Sequence, residues 1–196
     1  MNTKDLILAE ALKLFSAKGY DSVTVAMIAE NCSIKAPSLY KHYKSKREIF
    51  DAVYEKALNK YDSFITSIKI NEDEITSLNS DILFSKLKAV IRFFTHDEEI
   101  VMLRKLMKLS NDSNIRAAYS ERFFDFVINY HKRLFDKLIK EQLMIAEDSL
   151  SLAMLYDSPL LVIIDELDRN PEREEELLER LKAHSQLFFK LVTKKR

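Results

Sequence analysis

Apolar residues near the start of the chain recur at helical spacing. Val25, Ile28 and Ala29 stand at positions i, i+3 and i+4, so they share one face of a short helix. Thr24 suits the N-cap position of that helix, because its hydroxyl can accept a backbone N–H. The pattern predicts a helix from Val25 that ends in a tight turn at residues 31–33.

A second helix is predicted from Ala36, after an apolar plug at Ile34. Pro37 suits its first turn, where the missing N–H costs nothing. Leu39 and Tyr43 form an i, i+4 pair that should face the core. This orientation leaves an outer face of small, hydroxyl-bearing and cationic side chains: Ala36, Pro37, Ser38, Tyr40 and Lys41. The two helices together indicate a helix-turn-helix.

Further helical segments surround this pair. The upstream stretch places Ile7, Ala11, Leu14 and Phe15 on one face and stops at Gly19, the one glycine of the chain, which is placed as a helix C-cap. Another helix is predicted from about Ser45, with its apolar residues packing inward at Ile49, Phe50 and Val53.

The remainder of the chain also has helical periodicity. A polar stretch at 69–80 interrupts it, and Asn170-Pro171 is a typical helix start. Helices are predicted at 81–95, 98–110, 114–141, 149–168 and 171–194. Because no strand-like alternation is sustained, we predict an all-α fold with an N-terminal three-helix helix-turn-helix domain over residues 1–50 and a C-terminal helical domain over residues 51–196.

Charge is unevenly distributed along a chain that balances 31 basic against 31 acidic residues. The segment 35–47 contains five cations and no acid. Residues 1–50 carry eight Lys and Arg and five Asp and Glu, which gives +3 and leaves −3 for the rest. A local basic surface on a neutral protein indicates a polyanion-binding site, whereas the alternative is a solvated helix face. Small residues at the start of the second helix would let it approach base edges, and Tyr40, His42 and Lys46 could reach phosphates.

Composition argues against other classes of protein. One cysteine excludes an internal disulfide, and four scattered histidines give no metal-binding pair. No nucleophile motif is present, and one glycine precludes a Gly-rich phosphate loop, so we expect no catalytic residues, no metal and no cofactor. Cys32 is interpreted as a small buried residue, with a redox sensor as the alternative. No apolar run approaches ~18 residues and no signal peptide is evident, so we expect a cytoplasmic protein without a membrane span.

The combined motif resembles the TetR (tetracycline-repressor) family of transcriptional regulators. Its DNA-binding segment reads roughly T-x-x-x-I-A-x-x-A-G-V-S-x-x-x-L-Y-x-H-F-x-S-K-x-x-L. The matching positions here are Thr24, Ile28, Ala29, Ile34, Leu39, Tyr40, His42, Tyr43, Ser45, Lys46 and Ile49. The sequence departs from the pattern at Ser33, which replaces a turn glycine, at Cys32, at Lys35 and at Ala26. The candidate DNA contacts are Thr24, Lys35, Ala36, Pro37, Ser38, Tyr40, Lys41, His42 and Lys46.

The resemblance implies a homodimer built from the last two long helices, as a four-helix bundle with their twins. The candidate interface residues are Leu160, Ile164, Leu177, Leu181, His184 and Phe188. The alternative is that these apolar residues are buried inside a monomer. The resemblance also implies a small-molecule cavity in the C-terminal domain. Its candidate lining residues are Phe94, Met102, Leu106, Phe123, Phe126 and Tyr130, which could equally form a solid core.

We therefore expect a sequence-specific DNA-binding regulator that represses transcription. A dimer would bind a palindromic double-stranded DNA operator, and a mainly apolar effector would favour a conformation whose reading heads no longer match the half-site spacing. Polar residues among the apolar ones, such as Arg104, His131, Tyr156 and Asp157, could orient that effector. The alternative functions are a DNA binder of the same fold without effector control and, less in keeping with the sequence, a helical enzyme.

Overall fold

The computed structural model describes residues 2–71, 74–75, 77–110 and 113–193, and these form an all-helical chain as predicted. The α-helices are α1 (Thr3–Lys18), α2 (Val25–Asn31), α3 (Ala36–Tyr40), α4 (Lys46–Ile68), α5 (Ser80–His96), α6 (Glu98–Leu109), α7 (Ser113–Ser120), α8 (Phe126–Lys140), α9 (Ser149–Leu167) and α10 (Glu174–Val192). A π-helix at Glu121–Asp125 precedes α8, and a 3₁₀ turn at Pro171–Arg173 precedes α10.

Side chains and one glycine set the helix ends. Asn2 accepts the backbone N–H of Asp5 at 2.9 Å to cap α1, and Asp148 caps α9 in the same way through Ser151 at 2.8 Å. Gly19 ends α1 with a φ of 78°, a conformation that a glycine adopts without steric cost. The interruption predicted at 69–80 is confirmed, because α4 ends at Ile68 and α5 begins at Ser80.

Two predicted helices differ in detail from the structure. The continuous helix expected over 114–141 contains the π-helix at Glu121–Asp125, which periodicity does not reveal because one wider turn barely shifts the apolar spacing. The helix expected over 171–194 begins with a 3₁₀ turn and has its α-helical part at Glu174–Val192, while residue 194 lies outside the described residues.

The chain divides by packing into two units. The first contains the residues up to Ser67 together with Asp97–Tyr119, and the second contains Ile68–His96 and the residues from Ser120 onward. The first unit therefore adds α4, α6 and α7 to the three helices expected in the DNA-binding segment. The functional boundary at residue 50 stays a prediction, since packing groups residues by contact and not by role.

The core of the first unit is built from the faces that periodicity predicts. Buried residues of α1, α2 and α3 meet those of α4, and Leu106 of α6 joins them. Two acidic residues at the start of α6 also pair with α4: Lys60 lies 2.6 Å from Asp97, and Lys56 lies 2.7 Å from Glu99. Leu39 of α3 packs into this shared core.

The second unit has an aromatic core. The rings of Phe135, Tyr156 and Phe188 come from α8, α9 and α10, and their centroids are 5.1 to 5.8 Å apart. The Tyr156 hydroxyl donates to the Leu83 carbonyl at 3.1 Å, which ties α9 to α5. Among the described residues, no helix is long and apolar enough to cross a membrane.

Candidate nucleic-acid interface

The helix α2 has one face buried in the core of the first unit and begins at an exposed N-cap residue. The Thr24 hydroxyl accepts the N–H of Met27 at 3.2 Å, as expected of an N-cap. Ile28 and Ala29 are buried in the core, as their spacing predicts. Thr24 itself is exposed, so its N-cap role leaves one side of the residue facing solvent.

The turn after α2 is held by backbone hydrogen bonds. The N–H of Ser33 donates to the Glu30 carbonyl and the N–H of Ile34 donates to the Ala29 carbonyl, both at 2.9 Å. Ser33 has a φ of 54°, in the left-handed region that glycine favours. Cys32 is buried at the end of α2, and burial raises the pKa of its thiol. A thiol with a raised pKa is a poor nucleophile, so the buried-residue interpretation is preferred to the redox sensor.

The short helix α3 presents one face outward because its other face is anchored. Leu39 is fully buried and Tyr43 nearly so, as the i, i+4 pair predicts. The outward side chains are those of Lys35, Pro37, Tyr40 and Lys41, with Tyr40 52% exposed, while Ala36, Ser38 and His42 are partly exposed. A five-residue helix with small residues at its start and cations beside them suits close approach to a polyanionic groove.

The start of α4 is fixed next to this face. The Ser45 hydroxyl accepts the N–H of Glu48 at 3.1 Å, and the Glu48 carboxylate accepts the N–H of Lys44 at 2.6 Å. This reciprocal arrangement resembles a capping box and holds the backbone of Lys44 in place. The Lys44 side chain itself is exposed.

The five cations of the basic segment fall into two groups. Lys46 donates to the carbonyls of Tyr20 at 2.9 Å and Asp21 at 3.3 Å, and its ammonium lies 4.4 Å from the Tyr20 ring centre. Arg47 pairs with Asp51 at 2.8 Å. Arg47 is exposed as well, and the remaining exposed cations are Lys35, Lys41 and Lys44. The Lys46 ammonium, which the sequence predicts to contact phosphate, thus holds the loop after α1. The local sequence does not reveal these contacts, because the two partners lie 25 and 26 residues away.

Comparison with known proteins agrees with this geometry. Residues 7–53 match the sequence model of the bacterial regulatory proteins of the tetR family. Over 108 residues the chain is 33% identical to IcaR, the HTH-type negative transcriptional regulator of the biofilm operon icaADBC in Staphylococcus aureus strain Newman. The sequence similarity to the tetR family is carried by residues 7–53. The matched segment spans 55% of this chain and 54% of that relative, so the chain matches about half the length of the regulator.

Solved structures of other proteins share this fold. A candidate TetR-family transcriptional regulator from Mesorhizobium loti superimposes with a TM-score of 0.73 at 21% identity, covering 98% of this chain and 97% of the other. A complex of SmeT with triclosan has a TM-score of 0.67 at 16% identity, covering 100% and 93%. SmeT is the repressor of a multidrug efflux pump in Stenotrophomonas maltophilia. At these identities the likeness shows the fold.

The residues predicted to line a TetR-type effector cavity divide between the two units. Met102 and Leu106 pack in the apolar core of the first unit, which also contains Leu39 of α3. The other four belong to the second unit. Phe94 and Phe123 are buried with ring centres 5.6 Å apart, Phe126 and Tyr130 are half-buried, and the Tyr130 hydroxyl accepts the Ile70 N–H at 2.8 Å. The cavity itself stays a prediction, and we restrict its candidate lining to these four.

The residues predicted to form a TetR-type dimer mostly face inward. Leu160, Ile164, Leu177, Leu181 and Phe188 are buried within the chain, and His184 is half-buried against Phe188 at a ring separation of 6.4 Å. A side chain buried in its own unit has little surface left for a partner. The candidate interface therefore shifts to the large exposed apolar residues of α9 and α10: Leu150, Met154, Leu155, Leu161, Val162, Leu187 and Leu191.

The sequence contained a signal for these exposed residues. Leu187 and Leu191 are an i, i+4 pair beside the inward stripe of α10, and Leu160-Leu-Val-Ile-Ile164 is apolar around the whole of α9. Such a helix must be covered on more than one side. Periodicity alone does not show which side of α9 is buried within the same chain, because both faces of this helix are apolar.

Proposed function

We propose that this protein is a transcriptional regulator that represses by binding a palindromic operator as a homodimer and releases it when a small, mainly apolar effector binds the second unit. The observation that carries the proposal is the outward face of α3, whose cations and small residues are exposed while Leu39 and Tyr43 anchor the helix. Because bacterial operators lie in the cytoplasm, we place its action there.

Base recognition is assigned to α3. A helix enters the major groove, where each base pair shows a distinct set of donors and acceptors. Ser38 offers a hydroxyl, Lys41 an ammonium that suits the acceptors of guanine, and Ala36 and Pro37 a small apolar surface beside the thymine methyl group. The exposed ring of Tyr40 extends this surface toward the sugar–phosphate backbone.

Phosphate binding is assigned to exposed cations at both ends of α3. Lys35 precedes the helix, and Lys44 follows it on a backbone that Glu48 holds in place. Each phosphate neutralised by such a cation releases a counterion, so affinity should fall steeply with salt. Lys46 supports the site indirectly, through the loop that it anchors.

Dimerisation is supported by the apolar surface of α9 and α10. Val162 is 70% exposed, Leu187 56% and Leu191 60%. Large apolar patches on a protein surface often mark a site where another molecule binds. A second copy with the same surface would cover them in an isologous contact. Two reading heads would then bind two half-sites, which is the reason for expecting a palindrome.

Effector control is supported by the relatives and by the aromatic second unit. IcaR is a negative regulator, and SmeT is a repressor whose structure contains triclosan, an apolar aromatic compound. In this chain, Phe94, Phe123, Phe126 and Tyr130 are the aromatic residues of the second unit that we assign to contact such a compound. An effector releases DNA only if it binds the two conformations with different affinity.

The proposal is tested by removing charge from the exposed cations. We expect the triple variant Lys35→Ala, Lys41→Ala, Lys44→Ala to lose most DNA affinity and to reduce the salt dependence of log K by roughly one for each phosphate contact removed. The control removes the same charge from exposed positions of the second unit, with Lys69→Ala, Lys140→Ala and Lys190→Ala, and should bind duplex DNA like the wild type. Equal losses in the two variants would show that the chain binds DNA through net charge and not through α3.

A further inference from the structure

A buried acid–histidine pair lies in the second unit. His131 of α8 and Asp157 of α9 are both buried, with Asp157 only 4% exposed. The Nδ1 atom of His131 lies 2.9 Å from both carboxylate oxygens and forms its hydrogen bond to Oδ2. When the Asp157 carboxylate is ionised, it accepts this bond from the ring N–H of the histidine.

The second oxygen of this carboxylate, Oδ1, lies within ion-pair distance of His131 but receives no hydrogen bond from it. Asp157 Oδ1 is buried and has no hydrogen-bond partner within the part of the chain that the structure describes. Burial raises the pKa of Asp157, and the neighbouring His131 offsets only part of that rise. Folded proteins satisfy nearly all buried polar atoms, so a buried acceptor without a donor marks a place where a donor from outside would be stabilised.

Aromatic rings pack against the histidine of this pair. The His131 ring meets Tyr156 edge to face with centroids 4.9 Å apart, Tyr130 at 5.0 Å and Phe135 at 6.0 Å. Tyr156 cannot serve Asp157 with its hydroxyl, since that hydroxyl already donates to Leu83. These rings provide apolar surface and negative π-faces, which suit an apolar molecule or one that carries positive charge.

The helix beside the carboxylate is weakened by a proline. Pro159 stands inside α9, two residues after Asp157. It has no N–H to donate to the carbonyl of Leu155, so the helix lacks one hydrogen bond next to the pair. A helix bends most readily at such a point, which gives α9 a way to admit a ligand at Asp157.

We propose that the effector donates a hydrogen bond to Asp157 Oδ1, and that it is therefore an apolar molecule with an amine or a similar N–H or O–H donor and not a carboxylic acid. This inference rests on the proposed function, because it assigns the polar end of the effector site. An anionic ligand would bring a second negative charge against a buried carboxylate, which is strongly unfavourable. An amine would supply the missing donor and complement the charge.

The test compares three probes with the same ring and chain: phenethylamine, phenethyl alcohol and phenylacetate. Calorimetric titration of the full-length wild type should give the tightest binding for the amine, weaker binding for the alcohol and none for phenylacetate. Asp157→Asn keeps the shape of the side chain and should weaken amine binding at least about tenfold. Ser158→Ala, at the exposed neighbouring position, is the matched control and should bind like the wild type.

A second measurement does not depend on a variant. The ring ¹⁵N resonances of His131 in the wild type should shift when phenethylamine binds and stay unchanged with phenylacetate. Phenylacetate binding as tightly as the amine, no binding of the amine at millimolar concentration, or wild-type amine affinity in a folded Asp157→Asn variant would each overturn the inference.

Operator binding by the same samples separates this inference from the proposed function. In one outcome, the protein binds its operator and is released by a compound whose affinity does not depend on Asp157. This result would retain the proposed function and overturn the proposed hydrogen bond to Asp157. Binding of phenethylamine through Asp157 by a protein that binds no DNA would retain the proposed hydrogen bond to Asp157 and overturn the proposed function.

Discussion

At the scale of single residues, the turn of the helix-turn-helix carries measurable strain. Ser33 has a φ of 54°, where a side chain costs conformational energy that glycine avoids. We predict that Ser33→Gly raises the free energy of unfolding by about 0.5–1 kcal/mol, after allowing for the greater flexibility of glycine in the unfolded chain. Urea denaturation measures this difference. Ser38→Gly, within α3, is the control and should lower stability, and a loss of stability in Ser33→Gly would contradict the prediction.

Lys46 is a second residue for which the structure gives contacts that the local sequence does not show. Its ammonium donates to two carbonyls after α1 and lies over the Tyr20 ring. We predict that Lys46→Ala lowers the free energy of unfolding by about 1–2 kcal/mol, because both interactions are lost. Lys44→Ala, with an exposed side chain, should leave thermal stability unchanged and reduce DNA affinity. If the two variants were equally stable, the contacts of Lys46 would not stabilise the fold, and Lys46 would again be assigned to phosphate binding.

At the scale of helices, an ion-pair cluster joins α4 to the start of α6. Burial alone would raise the pKa of Glu99, but hydrogen bonds from Lys56 and Lys60 outweigh it and lower that pKa. A carboxylate whose folded-state pKa is lowered stabilises the fold above its unfolded pKa, and this contribution is lost as the pH falls through the folded value. We predict that Glu99→Gln costs about 1 kcal/mol at neutral pH and almost nothing in acid below the folded pKa.

Unfolding of the wild type and Glu99→Gln across this pH range provides the measurement. Glu98→Gln, one residue earlier with an exposed side chain, is the matched control and should show no such convergence in acid. A constant difference between the wild type and Glu99→Gln at all pH values would indicate a packing effect and not an ionic one.

The sequence predicts which faces of the helices are buried, but it does not predict every contact between them. The faces of α2 and α3 follow from Ile28, Ala29, Leu39 and Tyr43, because local spacing determines which side of a helix is apolar. The partner of Lys46 and the position of the π-helix do not follow, since one depends on a distant contact and the other on a single wider turn. The side of α9 that the chain itself buries does not follow either, since both faces of this helix are apolar.

At the scale of the whole molecule, dimerisation can be separated from folding. We predict that Val162→Glu combined with Leu187→Glu yields a folded monomer, because both side chains are exposed in the isolated chain and would meet only a partner. Leu181→Glu should unfold the protein instead, since Leu181 is buried and the charge would have no partner. Sedimentation velocity and circular dichroism distinguish these outcomes. A folded dimer of the double variant would place the interface elsewhere.

Operator selection tests the central claim most directly, that α3 reads DNA as one of two symmetric heads. Genomic fragments bound by the wild type should contain a palindrome with half-sites about one helical turn, ~10 base pairs, or a multiple apart. Fragments bound by Lys41→Ala should lose preference at one symmetric pair of positions, by about 1–3 kcal/mol per contact, and keep the rest of the palindrome. Bound fragments without a shared sequence, or an unchanged preference in Lys41→Ala, Ser38→Ala and Tyr40→Ala together, would contradict the account.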